Sequence, residues 1–223
     1  MSVEDCKFTY FGLAGRGEAT RLALSIGNVK FTDERIKFPE WKELKPNTPW
    51  GSLPILTLSD GTVIAQQRAI LRFVGKKTGL YPTDDVAAAL VDGIMDAVED
   101  IGALVMSAGK GLEQTEKEAA RKAAAAEGGG VYAKLSKIDN MIAANGKDGV
   151  IVGDVLTIAD LFVHCNCNHL VSGMFDGIPA DAIDEFANIT ALRKMVRSNP
   201  AVCKWYDELD SSIKMPAAFG AFT

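Results

Sequence analysis

The spacing of apolar positions in the first part of the chain predicts strands and a helix in alternation. Cys6 to Phe11 is a short run rich in aromatic and apolar residues, which favours a strand. Glu18 to Ile26 repeats its apolar residues at helical spacing, and Lys30 to Lys37 alternates polar and apolar residues as a second strand does. A strand, a helix and a strand in this order form a parallel βαβ unit.

A second group of elements follows. Leu53 to Leu58 predicts a strand, Ser59 to Thr62 a hairpin turn and Val63 to Ala65 the partner strand. Gln66 to Lys77 carries apolar residues at helical spacing and so predicts a helix. The order βαβ followed by ββα is typical of a thioredoxin-like domain, which we assign to residues 1–81.

Beyond this point the alternating pattern disappears and long, alanine-rich amphipathic stretches begin. They predict helices over Asp84 to Ala108 and over Glu113 to Asn145. The second stretch contains Gly128 to Gly130, and each glycine costs a helix about 1 kcal/mol relative to alanine. We therefore expect the helix to break or kink at these glycines.

The rest of the chain is also predicted to be helical. Thr157 to Asp160 has the spacing of a capping box ahead of an apolar run, so a buried helix should begin at about Thr157. The tail over residues 186–213 predicts one or two further helices. We therefore assign residues 84–223 to an all-helical domain, and the chain to the α/β plus all-α class.

Composition narrows the classes of partner. The chain has 223 residues, with 24 Lys and Arg against 29 Asp and Glu, and a formal charge of −5. This acidic balance, without a long basic run, argues against nucleic acid as a partner. No apolar stretch approaches the roughly 18 residues that cross a bilayer, and Glu4 and Asp5 stand where a signal peptide would be basic. We expect a cytoplasmic protein with no membrane span and reduced cysteines.

The motif YFGLAGRGEA over residues 10–19 resembles the opening of a cytosolic glutathione S-transferase. The resemblance covers nearly the whole chain, because further family motifs follow in order at Trp41, Lys45, Leu53-Pro54, Gln66, Asp100 and residues 156–160. Within the family the chain is most similar to the sigma class, which includes the glutathione-dependent prostaglandin D synthases. The resemblance implies a detoxifying homodimer that takes glutathione as co-substrate and conjugates it to hydrophobic electrophiles.

Tyr10 is the residue expected to carry the chemistry. A cysteine thiol has a pKa of about 8.5, and a phenol that donates a hydrogen bond to the sulfur favours the nucleophilic thiolate. Tyr10 lies near the end of the first predicted strand, where its hydroxyl can point at a bound thiol. By the family pattern, Arg16 lies beneath or beside the ring and adds positive charge. The alternatives are a tyrosine that caps a core and a surface arginine at the end of a turn.

Glutathione has an amine and two carboxylates besides its thiol, so its site needs an acidic partner and several donors. By the family pattern, the backbone of Leu53 pairs with the cysteinyl part like an added strand, and Pro54 follows, where a cis bond is plausible. Gln66 and Gln67 open a predicted helix whose unpaired N–H groups suit the γ-glutamyl carboxylate. Position 67 departs from the usual serine, and two glutamines here are also compatible with a solvated surface.

The remaining binding residues are implied by the family pattern. Trp41 and Lys45 would lie on one face of a short helix and reach the glycine carboxylate, although packing is the alternative for the tryptophan. Asp100 matches the carboxylate that sigma-class dimers lend across the interface to the γ-glutamyl amine, so the active site would need two chains. The alternative is a solvated acidic cluster, formed with Asp92, Asp96 and Glu99.

A metal site is disfavoured. His164, Cys165 and Cys167 lie on one predicted helix, where the two cysteines point about 200° apart and cannot share an ion. Cys6 precedes the tyrosine on a strand and does not begin a helix, which disfavours thiol-transfer chemistry. We expect no metal to be required.

Other functions stay open at this point. A glutathione-dependent isomerase would use the same groups on an endoperoxide, and a ligand-binding or structural member of the family would keep the fold without turnover. The second substrate cannot be read from the sequence. Its pocket is expected from the loop after Tyr10, from residues around Met106 to Leu112 and from Met215 to Thr223.

Overall fold

The structure is a computed structural model that describes residues 3–210, 213 and 216–219. The chain divides into two compact units. The first contains residues 3–82 with 199–210 and 213, and the second contains residues 83–198 with 216–219. No helix among the described residues is long and apolar enough to cross a membrane.

The first unit is built on a four-stranded sheet with the strand order β2-β1-β3-β4. Strand β1 pairs in parallel with β2 and antiparallel with β3, and β3 pairs antiparallel with β4. The elements of this unit are β1 (Cys6–Phe11), α1 (Glu18–Ile26), β2 (Phe31–Ile36), α2 (Phe38–Leu44), β3 (Ile55–Thr57), β4 (Val63–Ala65) and α3 (Gln67–Thr78). This is the predicted βαβ-ββα order, so the thioredoxin-like domain is confirmed.

The core of this unit lies where the sheet meets α1 and α3. Phe8 and Leu56 from the sheet are fully buried, together with Leu22 from α1 and Ile70 from α3. The helices place these apolar residues on one face, and burial of such a face supplies most of the stability of a short helix. This buried core therefore holds in place the end of β1, where Tyr10 lies.

The second unit is all-helical, as predicted. Its helices are α4 (Asp85–Ser107), α5 (Gln114–Ala125), α6 (Gly130–Asn145), α7 (Ile158–Leu170) and α8 (Ala187–Arg197). The break expected at the glycines is confirmed, because α5 ends at Ala125 and α6 begins at Gly130. Gly128 takes a positive φ of 84°, a conformation that favours glycine.

Helix α7 begins with the predicted capping box. Thr157 is the N-cap, and Asp160 accepts the Thr157 N–H at 2.7 Å and the Thr157 hydroxyl at 2.9 Å. Asp160 also accepts the N–H of Ile151 at 2.7 Å. Burial raises the pKa of the Asp160 carboxyl to about 6, although the three hydrogen bonds act to lower it.

Helix α9 (Pro200–Asp207) lies in the first unit, which differs from the sequence-based assignment. Residues 84–223 were assigned to the helical domain, whereas α9 packs within the first unit against α1. The Ser25 hydroxyl of α1 donates to the Ala201 carbonyl of α9 at 3.2 Å. A return of the chain to an earlier unit leaves no local signal in the sequence pattern.

Candidate active site

Tyr10 lies near the end of β1 with its ring buried, only 7% exposed. The backbone N–H of Arg16 donates a hydrogen bond of 3.0 Å to the Tyr10 hydroxyl. Because the hydroxyl accepts this bond, its own proton remains available for a second partner. The turn after β1 therefore orients Tyr10 as a hydrogen-bond donor.

Burial raises the pKa of the Tyr10 phenol above its ordinary value. The Arg16 N–H bond and the positive charges of Arg16 and Arg21 act in the opposite direction, but burial has the larger effect. A raised pKa keeps the phenol neutral at neutral pH. The neutral phenol, and not the phenolate, is the form that can donate a hydrogen bond to an anion.

Two arginines act on Tyr10 through their positive charge, Arg16, which the sequence analysis named, and Arg21, which it did not. Arg16 reaches Tyr10 through its backbone and is an exposed residue. The Arg21 guanidinium lies over the Tyr10 ring, with its carbon 5.7 Å from the ring centroid. Arg21 was not among the residues predicted for the site, although a spacing of three from Glu18 on a predicted helix is typical of an ion pair.

Leu53 and Pro54 precede β3 at the same edge of the sheet. The ladder between β1 and β3 ends at the pair Thr9 and Ile55, so Tyr10 and Pro54 lie just beyond it on neighbouring strands. The peptide bond between Leu53 and Pro54 is cis, which was the plausible form from the sequence. The backbone of Leu53 thus lies outside the ladder, beside the strand that carries Tyr10.

Gln66 and Gln67 lie at the same edge, because Ala65 at the end of β4 pairs with Ile55. Gln66 precedes α3 with a φ of +75°, which a residue with a side chain adopts at a cost of about 1 to 3 kcal/mol. Gln67 is buried and opens the helix, and no side chain caps this end. The N-terminus of α3 therefore has backbone donors for an anion.

The predicted short helix is α2, which contains Trp41 and has Lys45 as its C-cap. Trp41 lies in α2, and the N–H of Lys45 donates to the Trp41 carbonyl in the last turn. The Trp41 ring meets Phe11 edge to face with centroids 6.2 Å apart, and Phe11 follows Tyr10 on β1. Through Phe11, α2 therefore contacts β1, the strand that carries Tyr10.

Asp100 lies in the second unit on α4, where its side chain is 61% exposed. It forms an ion pair of 2.9 Å with Lys134 of α6 in the same chain. The family pattern implies that Asp100 contacts glutathione bound by a partner chain. This role stays a prediction.

The residues considered for a metal site are enclosed in α7. His164, Cys165 and Cys167 are all buried there. Burial lowers the pKa of His164 to about 3 and raises the pKa of Cys167 to about 12. Among the residues that the structure describes, no group of three or more potential metal ligands is found.

The predicted wall of the electrophile pocket is described in part. Met106 and Leu112 are 60% and 48% exposed, so apolar surface is present in the predicted segment. Of the predicted C-terminal segment, residues 216–219 are described, and they include a short helical turn over Ala217–Phe219. Met215 and residues 220–223 lie outside the described residues.

Two family models match the chain. The glutathione S-transferase N-terminal domain matches residues 6–76, and the glutathione S-transferase C-terminal domain matches residues 103–208. The chain belongs to the glutathione S-transferase family. The family resemblance inferred from the sequence is thereby confirmed.

Relatives and solved structures of the glutathione S-transferase family agree with this assignment. Glutathione S-transferase 1 of Ascaris suum is 33% identical over 91% of this chain and 95% of its own length. Hematopoietic prostaglandin D synthase of Gallus gallus is 31% identical over 89% of this chain and 94% of its own length. The structure of prostaglandin synthase D of Nilaparvata lugens superimposes with a TM-score of 0.81 at 27% identity, covering 92% of this chain and 98% of that one.

Proposed function

We propose that the protein is a glutathione transferase in which Tyr10 stabilises the thiolate of glutathione for attack on apolar electrophiles. The observation that carries the proposal is the Tyr10 hydroxyl, which is buried, neutral and already accepts the Arg16 N–H. Such a hydroxyl can direct its single proton to a sulfur anion. Family membership and relatives named glutathione S-transferase support the same activity.

The chemistry requires a thiolate at neutral pH. A thiol with a pKa of about 8.5 is only a few per cent ionised there, and a hydrogen bond from a neutral phenol to the sulfur favours the anion. On ionisation the thiol proton leaves to solvent, while Tyr10 keeps its own proton and shares it with the sulfur. The sulfur electron pair then forms the bond to an electrophilic carbon, and the displaced group leaves with the electron pair of the bond that breaks.

Three features at the edge of the sheet support binding of the tripeptide. The uncapped N-terminus of α3 at Gln67 offers donors for the γ-glutamyl carboxylate. The Leu53 backbone lies outside the ladder and suits strand-like pairing with the cysteinyl part. Trp41 and Lys45 supply an indole N–H and an ammonium for the glycine carboxylate.

We further propose that the protein is a cytoplasmic homodimer of the sigma class that takes part in detoxification. The motif over residues 10–19 supports the class. In this proposal Asp100 reaches the γ-glutamyl amine bound by the partner chain. Its exposed position on α4 leaves the carboxylate accessible beside Lys134.

The test is the initial rate of glutathione conjugation to chlorodinitrobenzene, measured for the wild type and for Tyr10→Phe. The variant keeps the ring and loses only the hydroxyl. We expect it to bind glutathione and to lose at least tenfold in rate, roughly 1.4 kcal/mol of transition-state stabilisation. Equal rates for the two proteins would remove Tyr10 from the mechanism.

A glutathione-dependent isomerase is the second candidate. The hematopoietic prostaglandin D synthase of Gallus gallus is 31% identical, and the prostaglandin synthase D structure superimposes at a TM-score of 0.81. The same thiolate would open an endoperoxide and be released again, so glutathione would not be consumed. Product analysis separates the two reactions, because conjugation depletes glutathione in proportion to product and isomerisation does not.

A further inference from the structure

A charged pair with no exposed surface lies behind Tyr10. The side chains of Glu18 and Arg21 are both 0% exposed and meet at 3.2 Å. Removing two charges from water is costly, so such a pair persists only when its other hydrogen-bonding atoms are also satisfied. The partners of Glu18 and Arg21 therefore decide where the two charges lie.

Arg21 is bound directly to the segment that carries Tyr10. Its guanidinium donates to the Phe11 carbonyl at 3.1 Å and to the Leu13 carbonyl at 2.8 Å. Besides its contact with Glu18, it also donates to the Asp33 carboxylate of β2 at 2.9 Å. The same guanidinium lies 5.7 Å from the centre of the Tyr10 ring, so its position sets both the course of this turn and the positive potential at the phenol.

Glu18 is held from the other side by α9. The indole N–H of Trp205 on α9 donates to Glu18 Oε1 at 2.9 Å, while Arg21 occupies Oε2. Trp205 is itself fixed by stacking on Phe31 at 5.9 Å and by the guanidinium of Arg35, which is 5.9 Å from its ring centre. A residue 187 positions further along the chain thus contacts the charged pair behind Tyr10.

We propose that Trp205 is a positioning residue for catalysis, acting on Tyr10 through Glu18 and Arg21. The proposal rests on the proposed function, because it concerns the thiolate that Tyr10 stabilises. The indole N–H neutralises part of the Glu18 charge. More of the Arg21 positive charge then remains effective at Tyr10 and at the sulfur anion bound beside it.

The sign of the effect follows from the charges. Without the indole donor, the Glu18 carboxylate opposes the Arg21 charge more strongly, and the pKa of the bound glutathione thiol rises. Without the Glu18 charge, the Arg21 charge is opposed less, and the thiol pKa falls. A general loosening of the site would weaken the Tyr10 hydrogen bond and raise the thiol pKa in both cases.

The decisive variant is Trp205→Phe, which keeps an aromatic ring beside Phe31 and Arg35 and removes only the N–H donor. Thiolate absorbance of the glutathione complex is titrated against pH for the wild type, Trp205→Phe and Glu18→Gln. We expect the thiol pKa to rise by about 0.5 in Trp205→Phe, which is about a threefold loss of thiolate below that pKa. We expect it to fall in Glu18→Gln.

Two controls run in parallel. Trp50→Phe makes the same change at a tryptophan that is 70% exposed, and it should leave the thiol pKa at the wild-type value. Tyr10→Phe should raise the thiol pKa more than Trp205→Phe does. If Tyr10→Phe leaves the thiol pKa unchanged, the proposed function fails, independently of Trp205.

Two results of these titrations would overturn the proposal for Trp205. An unchanged thiol pKa in Trp205→Phe, even with a lower melting temperature, gives the residue a purely structural role and overturns the proposal. A thiol pKa that rises in Glu18→Gln overturns it as well, because the effect is then general loosening. If Trp205→Phe does not fold, the Glu18→Gln titration still tests the charge effect on which the proposal depends, and a rise in the thiol pKa overturns it.

Discussion

At the scale of single residues, the orientation of Tyr10 depends on neighbours without side chains. A Cβ added at Gly15 would lie 2.8 Å from the Tyr10 hydroxyl oxygen and 2.6 Å from Leu13 Cδ1. A Cβ at Gly17 would lie 2.6 Å from Tyr10 Cδ1. Gly15 also has a φ of +38°, a backbone conformation that disfavours a side chain. The turn therefore encloses the phenol only because these positions are glycine.

Gly15→Ala is predicted to impair catalysis by displacing the Tyr10 hydroxyl. A misplacement of about 1 Å at a reacting group costs up to about 100-fold, and we expect a loss of about 10- to 100-fold in kcat. Gly12→Ala is the matched control, because no atom lies within 4 Å of a Cβ built at Gly12. Initial conjugation rates check the prediction, and equal rates for the two variants would contradict it.

At this scale, the residues of a contiguous motif could be predicted from the sequence. Tyr10 could be predicted because its spacing from the glycines and Arg16 is readable in a single stretch. The guanidinium over the Tyr10 ring could not be assigned, since Arg16 and Arg21 both follow the strand and only packing decides which of them lies there. The positive φ of Gln66 was equally hidden, because no residue type in the sequence marks it.

At the scale of elements, α7 and α8 share a buried polar contact. Arg193 of α8 donates to Asn168 Oδ1 at 2.7 Å, which turns the Asn168 amide nitrogen towards His164 Nε2 at 3.0 Å. His164 Nε2 must therefore accept, and the imidazole is neutral. Burial lowers the pKa of His164 to about 3, and the positive charge of Arg193 acts in the same direction.

This contact predicts a loss of stability in acid. A histidine in the unfolded chain has a pKa of about 6.5, whereas His164 in the folded chain has a pKa of about 3. Between about pH 6.5 and about pH 3 the unfolded state therefore binds a proton that the folded state does not bind. The free energy of unfolding should fall as pH decreases through this range, by up to about 1.4 kcal/mol per pH unit from His164. In His164→Gln, which keeps an acceptor for Asn168, this contribution should be absent.

The measurement is urea unfolding of the wild type and His164→Gln between pH 4 and 8. The buried Asp160 contributes with the opposite sign, because its raised pKa makes the folded state bind a proton more readily below about pH 6. This contribution is common to both proteins and cancels in their difference. The difference should be constant above about pH 6.5 and change below it, and a constant difference throughout would contradict the prediction.

The elements themselves were largely predictable from periodicity and capping. The start of α7 followed from the capping box at Thr157, and the break between α5 and α6 followed from Gly128 to Gly130. Both signals are local, because capping and glycine costs act within one turn of helix. The packing of α9 on α1 is a contact between distant segments, and amphipathic periodicity alone does not identify the partner of an apolar face.

At the scale of the whole molecule, the proposed dimer makes a prediction about shared sites. If each site takes Tyr10 from one chain and Asp100 from the other, a mixed dimer of Tyr10→Phe with Asp100→Asn contains one site with both defects and one site with neither. Co-expression of the two variants should therefore restore conjugation to about half of the wild-type rate in the mixed dimers. The assay is run at low glutathione concentration, where loss of Asp100 weakens binding.

The control for this experiment is a simple mixture of the two purified homodimers, measured before the subunits exchange. Its rate should be the average of the two defective proteins. If purified mixed dimers have no more activity than that average, Asp100 acts within its own chain or not at all. The ion pair with Lys134 would then account for Asp100 by itself.

The first unit is discontinuous in sequence, since residues 3–82 are joined there by residues 199–210. During synthesis the ribosome releases the strand with Tyr10 long before it releases α9. Until Trp205 emerges, Glu18 lacks its indole donor and Phe31 lacks its stacking partner. A nascent chain that stops before Asn199 thus carries every residue of the opening motif without the Trp205 contact to Glu18, and the surroundings of the tyrosine are completed only after α9 has been synthesised.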